Sequence, residues 1–316
     1  MKAAVVHTLG QPPQYRDFPD PTPQQGEVLI HVRAAGMHPI VRSLALGQHY
    51  SFAGELPMVA GIDGVGTRPD GTRVYFAGLR SPWGSMAELA AAPASMTIPL
   101  PEALADETAA AIANPGMSAW LSTRGRAALA AGESVLILGA TGVAGQLAIQ
   151  AARHLGARRI VAAGRNVEAL AGQDLDGIIP LGAPEEELRA ALAEEVGKGI
   201  DVVIDYLWGR PTELVLEALA RSHDSHTTRT TRLVEVGQSA GATITLPGAY
   251  LRAVDLRLLG SGFGSVPLGQ ILESIREFFD LAAAGVFTVD AEPVPLAEVE
   301  QAWSRAEKGK RIVFKP

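Results

Sequence analysis

Apolar positions along the chain change rhythm near residue 106. Before it, the runs Lys2–His7, Glu27–Ala34 and Thr72–Phe76 are short and β-branched, and Pro and Gly clusters such as Pro19-Asp20-Pro21-Thr22-Pro23 and Pro69-Asp70-Gly71 separate them. That pattern predicts a β-rich, turn-rich region in which regular 10-residue helices are hard to place. From Asp106 to Ile112 an Ala-rich stretch has helical spacing, with Asp106 as its cap. Asn114-Pro115-Gly116 predicts a break, and Ser118–Ala131 resumes the helical rhythm until Gly132.

After Gly132 strands and helices alternate. Val135–Leu138, Ile160–Ala163, Gly177–Pro180, Asp201–Asp205, Leu233–Gly237 and Leu256–Gly260 read as strands. Val143–Leu155, Thr212–Ala220 and Leu268–Ala284 read as helices, and Arg311–Phe314 as a final strand. Uninterrupted apolar strands between helices imply a parallel sheet covered on both faces. The polar stretch Ser222–Arg232 interrupts the alternation and reads as a surface loop whose two His residues have no third ligand beside them.

The strand Val135–Leu138 feeds its helix through Gly139-Ala140-Thr141-Gly142-Val143-Ala144-Gly145. A side chain at Gly142 would keep backbone amides from a pyrophosphate, and one at Gly145 would push the helix off the strand. Val143, Leu147, Ala151 and Leu155 share the helix face that packs. Set within a βαβ series, this turn points to a dinucleotide. The next strand ends in Gly164-Arg165-Asn166 and not in the acid that would accept the ribose hydroxyls of NAD. A guanidinium at Arg165 can grip a 2′-phosphate in bidentate fashion, with Asn166 as a second contact, so NADP (NADPH) is the expected cofactor.

Length and composition narrow the setting. A chain of 316 residues exceeds the roughly 250 at which single cores tend to split, which favours two domains. The net charge of −7 without a basic run argues against a nucleic-acid partner. Met1–Val6 runs into the polar His7-Thr8, so no leader is expected, and no apolar stretch approaches the ~20 residues of a membrane span. A cytoplasmic protein without a membrane partner is the expectation. With no Cys, thiolate nucleophiles, disulfides and Cys-containing zinc cages are excluded.

The string Val135–Gly145 resembles the cofactor turn of the medium-chain dehydrogenase/reductase superfamily, in its zinc-free quinone oxidoreductase branch. Four further stretches agree in order and spacing: Ala35-Gly36-Met37-His38-Pro39, Gly61-Ile62-Asp63-Gly64-Val65-Gly66, Gly84-Ser85-Met86-Ala87-Glu88 and Gly116-Met117-Ser118-Ala119-Trp120. The resemblance implies an α/β protein: a GroES-like, β-rich catalytic domain over 1–113, completed by 281–316, and a doubly wound, parallel-sheet Rossmann domain over 114–280. It also implies that the nicotinamide lies in a cleft between the two. Ile62 stands where zinc-dependent relatives carry a His ligand, so no metal is expected. His38, Val41 and Ser43 replace residues that zinc-free relatives usually have as Asn, an acid and Tyr, and Thr67–Arg73 replaces a longer loop.

Hydride reduction of a quinone or an enone needs placement of the acceptor and a donor for the oxyanion that forms. His38 and Tyr50 are the best donors in the amino-terminal region, His38 because its near-neutral range suits proton delivery, and Ser43 and Asn114 join them as candidate catalytic residues. His38, Tyr50, Asn114 and Ser118 also have purely structural alternatives: a packed, hydrogen-bonded His, a core-capping Tyr, and a helix cap and breaker around Pro115. By the resemblance, Ser118 sits near the nicotinamide, and Asn114-Pro115 is similar to enoyl-reductase relatives. Tyr206 and Trp208 after one strand, Gly237 after the next, and Gly262 and Phe263 after the last should flank the cofactor at the carboxyl ends of the sheet. Leu256–Leu259 resembles the edge strand through which family members form homodimers. Three readings remain open: NADPH-dependent reduction of a small organic quinone-like acceptor, reduction of an enone, alkenal or enoyl thioester, and a catalytically weak NADPH-binding structural or sensing protein. The acidic balance argues mildly against an acyl-CoA, whose phosphates would call for a basic entrance.

Overall fold

The computed structural model describes residues 1–48, 52, 54–222, 229–262, 264–305 and 310–316. The chain divides into two compact units, Met1–Pro115 with Ile275–Pro316, and Gly116–Ser274.

In the second unit, six strands among the described residues form one parallel sheet. In spatial order they are Gly177–Pro180, Arg159–Gly164, Ser134–Leu138, Val202–Asp205, Thr230–Glu235 and Asp255–Gly260. The order steps outward from Ser134–Leu138 in both directions, which is the doubly wound arrangement the alternation of elements implied. Ser134–Leu138 and Val202–Asp205 are buried at every position, so both faces of Val135–Leu138 and Val202–Ile204 are apolar and the runs are uninterrupted. Leu136, Leu138, Val161 and Val203 share a core with Leu188, Leu192 and Val196 of helix Glu185–Gly197 and with Leu214, Val215 and Leu219 of helix Gly209–Arg221. The alternate residues Val135, Ile137, Ile160 and Ile204 are buried as well. Helix Val143–His154 packs against the strands Ser134–Leu138 and Arg159–Gly164.

The first unit is largely antiparallel. Strand Glu27–Gly36 is its axis, pairing with Asp63–Thr67, Leu89–Pro93 and the C-terminal strand Lys310–Lys315. Arg73–Ala77 continues the sheet beyond Asp63–Thr67, and Asp290–Pro295 runs parallel to Lys310–Lys315. The tail thus returns to the amino-terminal sheet, with Ile312 and Phe314 in one core with Ala35, Met37 and Val41.

Three local expectations are corrected. Helix Asp106–Trp120 runs through Asn114-Pro115-Gly116 without a break and then widens into a π-helical segment, Leu121–Arg126. An interior Pro costs about 3 kcal/mol. Burial of Ile112, Met117 and Trp120 on the same helix outweighs it, at about 1.5–3 kcal/mol per large apolar side chain. Asp106 is the first helical residue, and its carboxylate engages Arg33 Nε at 2.5 Å and Arg73 Nη1 at 3.4 Å. A short helix, Pro39–Ala45, shorter than the regular helices the pattern disfavours, is started by Pro39 and buried through Val41 and Ala45. The strand expected from Leu233 begins at Thr230, which shortens the polar loop; residues 223–228, with His223 and His226, lie outside the described residues.

Candidate active site

In the second unit, the glycine turn sits at the carboxyl end of the central strand, and its glycines have different tasks. Gly139 has φ +83°, which favours glycine. A Cβ on Gly145 would collide with Gly139 O and lie 2.6 Å from Ala140 Cα, so helix and turn could not close with any side chain there. Gly142 is exposed, with φ −77° and ψ 161°, and a Cβ there would make only an ordinary contact of 3.5 Å with Gly139 O. Packing therefore requires Gly145 and leaves Gly142 unexplained. The first-turn amides of Val143, Ala144 and Gly145 have no intrahelical acceptor, and no side chain caps the helix. An exposed glycine beside an uncapped helix N-terminus is a cradle suited to a pyrophosphate.

Neighbouring strand ends complete this region. Ala163 O accepts both Gly139 N and Ala140 N at 3.0 Å, and a Cβ on Gly164 would collide with Thr141 Cγ2, so Gly164 lies directly behind the turn. Arg165 and Asn166 follow it, both exposed, and Arg165 makes no ion pair among the described residues. On the other side, Cβ atoms on Gly139 and Gly237 would approach Tyr206 Cβ at 3.3 Å and Tyr206 O at 3.1 Å. Burial pushes the Tyr206 hydroxyl above its ordinary range, partly offset by the Ser122 and Ser118 side chains. Ser118 and Ser122, one turn apart, thus face Tyr206 from helix Asp106–Trp120 and its π-helical continuation. Gly262 is exposed and donates its amide to Ser265 Oγ at 2.8 Å; Phe263 lies outside the described residues.

Trp208 occupies a strained backbone, φ 55° and ψ −163°, a region left almost entirely to glycine. Asp205, fully buried, holds it there. Its Oδ1 accepts the amides of Leu207 at 2.8 Å and Trp208 at 3.0 Å, and its Oδ2 accepts the Thr212 hydroxyl at 2.6 Å. Burial raises the Asp205 carboxyl above its usual range, against those hydrogen bonds. The half-buried Glu235, its cross-strand partner, is raised by its own burial and by Asp205. Trp208, Glu235 and Gln238 border a hollow of about 370 Å³ at this end of the sheet.

In the first unit, His38 precedes helix Pro39–Ala45 and is fully buried. Its Nε2 lies 3.3 Å from Asp63 Oδ1, a contact not aligned as a hydrogen bond, so among the described residues neither ring nitrogen has a hydrogen-bond partner. Asp63 Oδ2 accepts the Tyr75 hydroxyl at 2.9 Å, and both residues are buried. Burial, then the Asp63 carboxylate, drives the Tyr75 hydroxyl well above its ordinary range. A Cβ on Gly36 would fall 2.6 Å from His38 Nε2 and 2.5 Å from Ala110 O, so Gly36 makes room for the imidazole. Ser43 lies further along the same short helix, half-buried, while Asn114 is half-buried inside helix Asp106–Trp120 and caps nothing. Tyr50 lies outside the described residues.

Sequence reading missed Asp63, Tyr75 and Asp205. The available signal was an acid or a phenol inside strands otherwise made of Gly and apolar residues. Among the described residues, no group of three or more His, Cys, Asp or Glu converges as a metal site requires, and no helix is long and apolar enough to cross a membrane.

No family model matches the chain. A probable NADPH-dependent quinone reductase of Emericella nidulans is 30% identical to it, over the whole of both chains. The quinone oxidoreductase of Thermus thermophilus, solved alone and with NADPH, superposes with a TM-score of 0.81 at 29% identity, covering 100% of both chains. A mycobacterial quinone oxidoreductase superposes with a TM-score of 0.85 at 25% identity, again covering both chains entirely.

Proposed function

We propose a reaction from the premise that this chain belongs to the zinc-free, NADPH-dependent quinone oxidoreductase family of the medium-chain dehydrogenase/reductase superfamily: it is an NADPH-dependent oxidoreductase that reduces a quinone-like acceptor. The unit Gly116–Ser274 binds the dinucleotide, and the unit containing His38 is the GroES-like catalytic one. The observation that carries the reading is the glycine turn, where Gly145 is demanded by packing and Gly142 is kept bare although packing allows a side chain.

Gly139–Gly145 would hold the pyrophosphate, Arg165 and Asn166 the 2′-phosphate, and Ser118, Tyr206, Trp208 and Gly237 the nicotinamide half. Bound NADPH would supply the hydride and His38 the proton, so that quinone, NADPH and one proton would become hydroquinone and NADP⁺. His38 suits this role because its buried ring has no hydrogen-bond partner among the described residues, leaving a donor position for an acceptor oxygen. Trp208, fixed by Asp205, walls the strand end at which the dinucleotide is held.

Following NADPH absorbance with a panel of quinones and enones is expected to show turnover of quinones. Turnover of enones or enoyl thioesters alone would move the chain to enone reduction. NADPH binding with no acceptor reduced would make it a binding protein.

A homodimer along strand Asp255–Gly260 belongs to the same proposal. Among the described residues this strand pairs on one side only, with Thr230–Glu235, and Leu258 on it and Leu251 just before it are exposed. An open edge with apolar side chains calls for a cover, and a second copy supplies one by symmetry. Sedimentation of the purified chain should give twice the chain mass, and Leu258→Lys should shift it toward one; a parent protein that sediments as a monomer would remove the proposal.

A further inference from the structure

Three buried polar side chains from three separate elements meet in the first unit: His38 before helix Pro39–Ala45, Asp63 on strand Asp63–Thr67 and Tyr75 on strand Arg73–Ala77. A carboxylate taken out of water is costly unless it is paired and hydrogen-bonded. Asp63 meets that demand unevenly. Its Oδ2 is satisfied by the Tyr75 hydroxyl, while Oδ1 has only His38 Nε2 at 3.3 Å. An apolar residue at 63 would remove the problem, so the buried charge asks for a use beyond packing.

We infer that Asp63, steadied by Tyr75, is a positioning residue that selects which nitrogen of His38 delivers the proton. The inference rests on the reading of His38 as proton donor. With Oδ1 facing Nε2, the carboxylate favours a proton on that nitrogen, and the proton handed to the acceptor leaves from Nδ1. The neutral ring left after transfer keeps its Nε2 proton toward Asp63. Tyr75 donates to the opposite carboxylate oxygen and so turns Oδ1 toward the ring. The short gap at Nε2 is of the kind that tightens when a reacting partner binds.

Other charges around the ring have their own partners. Arg311, from strand Lys310–Lys315, donates Nη1 to Met37 O at 2.8 Å, directly before His38. Arg42, from helix Pro39–Ala45, donates Nη2 to Arg305 O at 2.9 Å. From helix Asp106–Trp120 the nearby group is the neutral carbonyl of Ala110.

The test is a double-mutant cycle on quinone reduction, using His38→Gln, Asp63→Asn, the double variant and Tyr75→Phe, with kcat, KM for NADPH and melting temperature as readouts. His38→Gln is expected to lower kcat about 100-fold, the lower range for loss of a general acid. Asp63→Asn should lower kcat about 10-fold with KM for NADPH unchanged, because the ring is no longer oriented by the carboxylate. The double variant should be no slower than His38→Gln alone, since Asp63 acts only through the ring. If Asp63→Asn fails to fold, Tyr75→Phe serves in its place, with a smaller effect that must vanish in the His38→Gln background. Multiplicative losses, or a lowered melting temperature with kcat unchanged, would overturn the role of Asp63 and leave His38 as donor. An unchanged kcat in His38→Gln would overturn both.

Discussion

Replacing Gly142 with threonine is expected to abolish practical NADPH binding while leaving the folded protein intact. The residue is exposed, its φ of −77° suits any amino acid, and a Cβ there meets nothing closer than 3.5 Å. Threonine is also a competent N-cap for helix Val143–His154, so the helix should not lose stability. The same methyl and hydroxyl fill the space through which backbone amides reach a phosphate. Each hydrogen bond to a charged group contributes about 1.5–3 kcal/mol, so losing two weakens NADPH by at least about 100-fold. Titration by fluorescence or calorimetry, beside a thermal melt, separates the outcomes. A variant that melts as the parent and binds NADPH equally well would show that Gly142 is not where the cofactor approaches. Gly145→Ala makes the contrast: its Cβ collides with Gly139 O and Ala140 Cα, so melting temperature and binding should fall together.

Replacing Arg165 with alanine should weaken NADPH by at least about 10-fold, the loss of one or two charge-assisted hydrogen bonds, and leave NADH almost untouched. Arg165 directly follows strand Arg159–Gly164, is exposed and engages no carboxylate among the described residues. Its removal therefore carries little structural cost, and the effect reads directly on the 2′-phosphate. Dissociation constants for both cofactors in parent and variant decide the matter; equal losses for the two would end the phosphate-grip argument.

The dinucleotide unit was legible because its signals are local. Val135–Leu138 is apolar without interruption because both faces are covered, and Gly139, Gly142 and Gly145 lie within seven residues of one another. The edge strand Asp255–Gly260 carries a mixed exposed pattern and was found only because the alternation led to it. Helix Asp106–Trp120 defeated the local rule at Pro115, since burial of Ile112, Met117 and Trp120 outweighs the missing amide. Helix Pro39–Ala45 is too short for its periodicity to stand out among prolines and turns.

His38 was singled out from its place in the sequence, but its surroundings could not be. Strand Arg73–Ala77 pairs with Asp63–Thr67 in the register that sets Val65 opposite Tyr75, and that register carries the phenol to the carboxylate. The ring arrives from a helix start well before either strand in the chain. Asp205 is similar: its bonds to Leu207, Trp208 and Thr212 are near in sequence, yet they have meaning only because Trp208 is held in a backbone conformation no sequence rule assigns it.

By itself the sequence determined a parallel sheet, a glycine-rich turn between its central strand and the following helix, a basic residue at the next strand end and the absence of thiol chemistry. Each follows from residue type at fixed spacing, where steric and hydrogen-bonding rules act over a few bonds. Only the tertiary structure decided which glycine packing demands and which it leaves free, and which buried acid faces His38. Those depend on distances of a few ångströms between atoms far apart in the chain, set by strand register and by how the core closes around them.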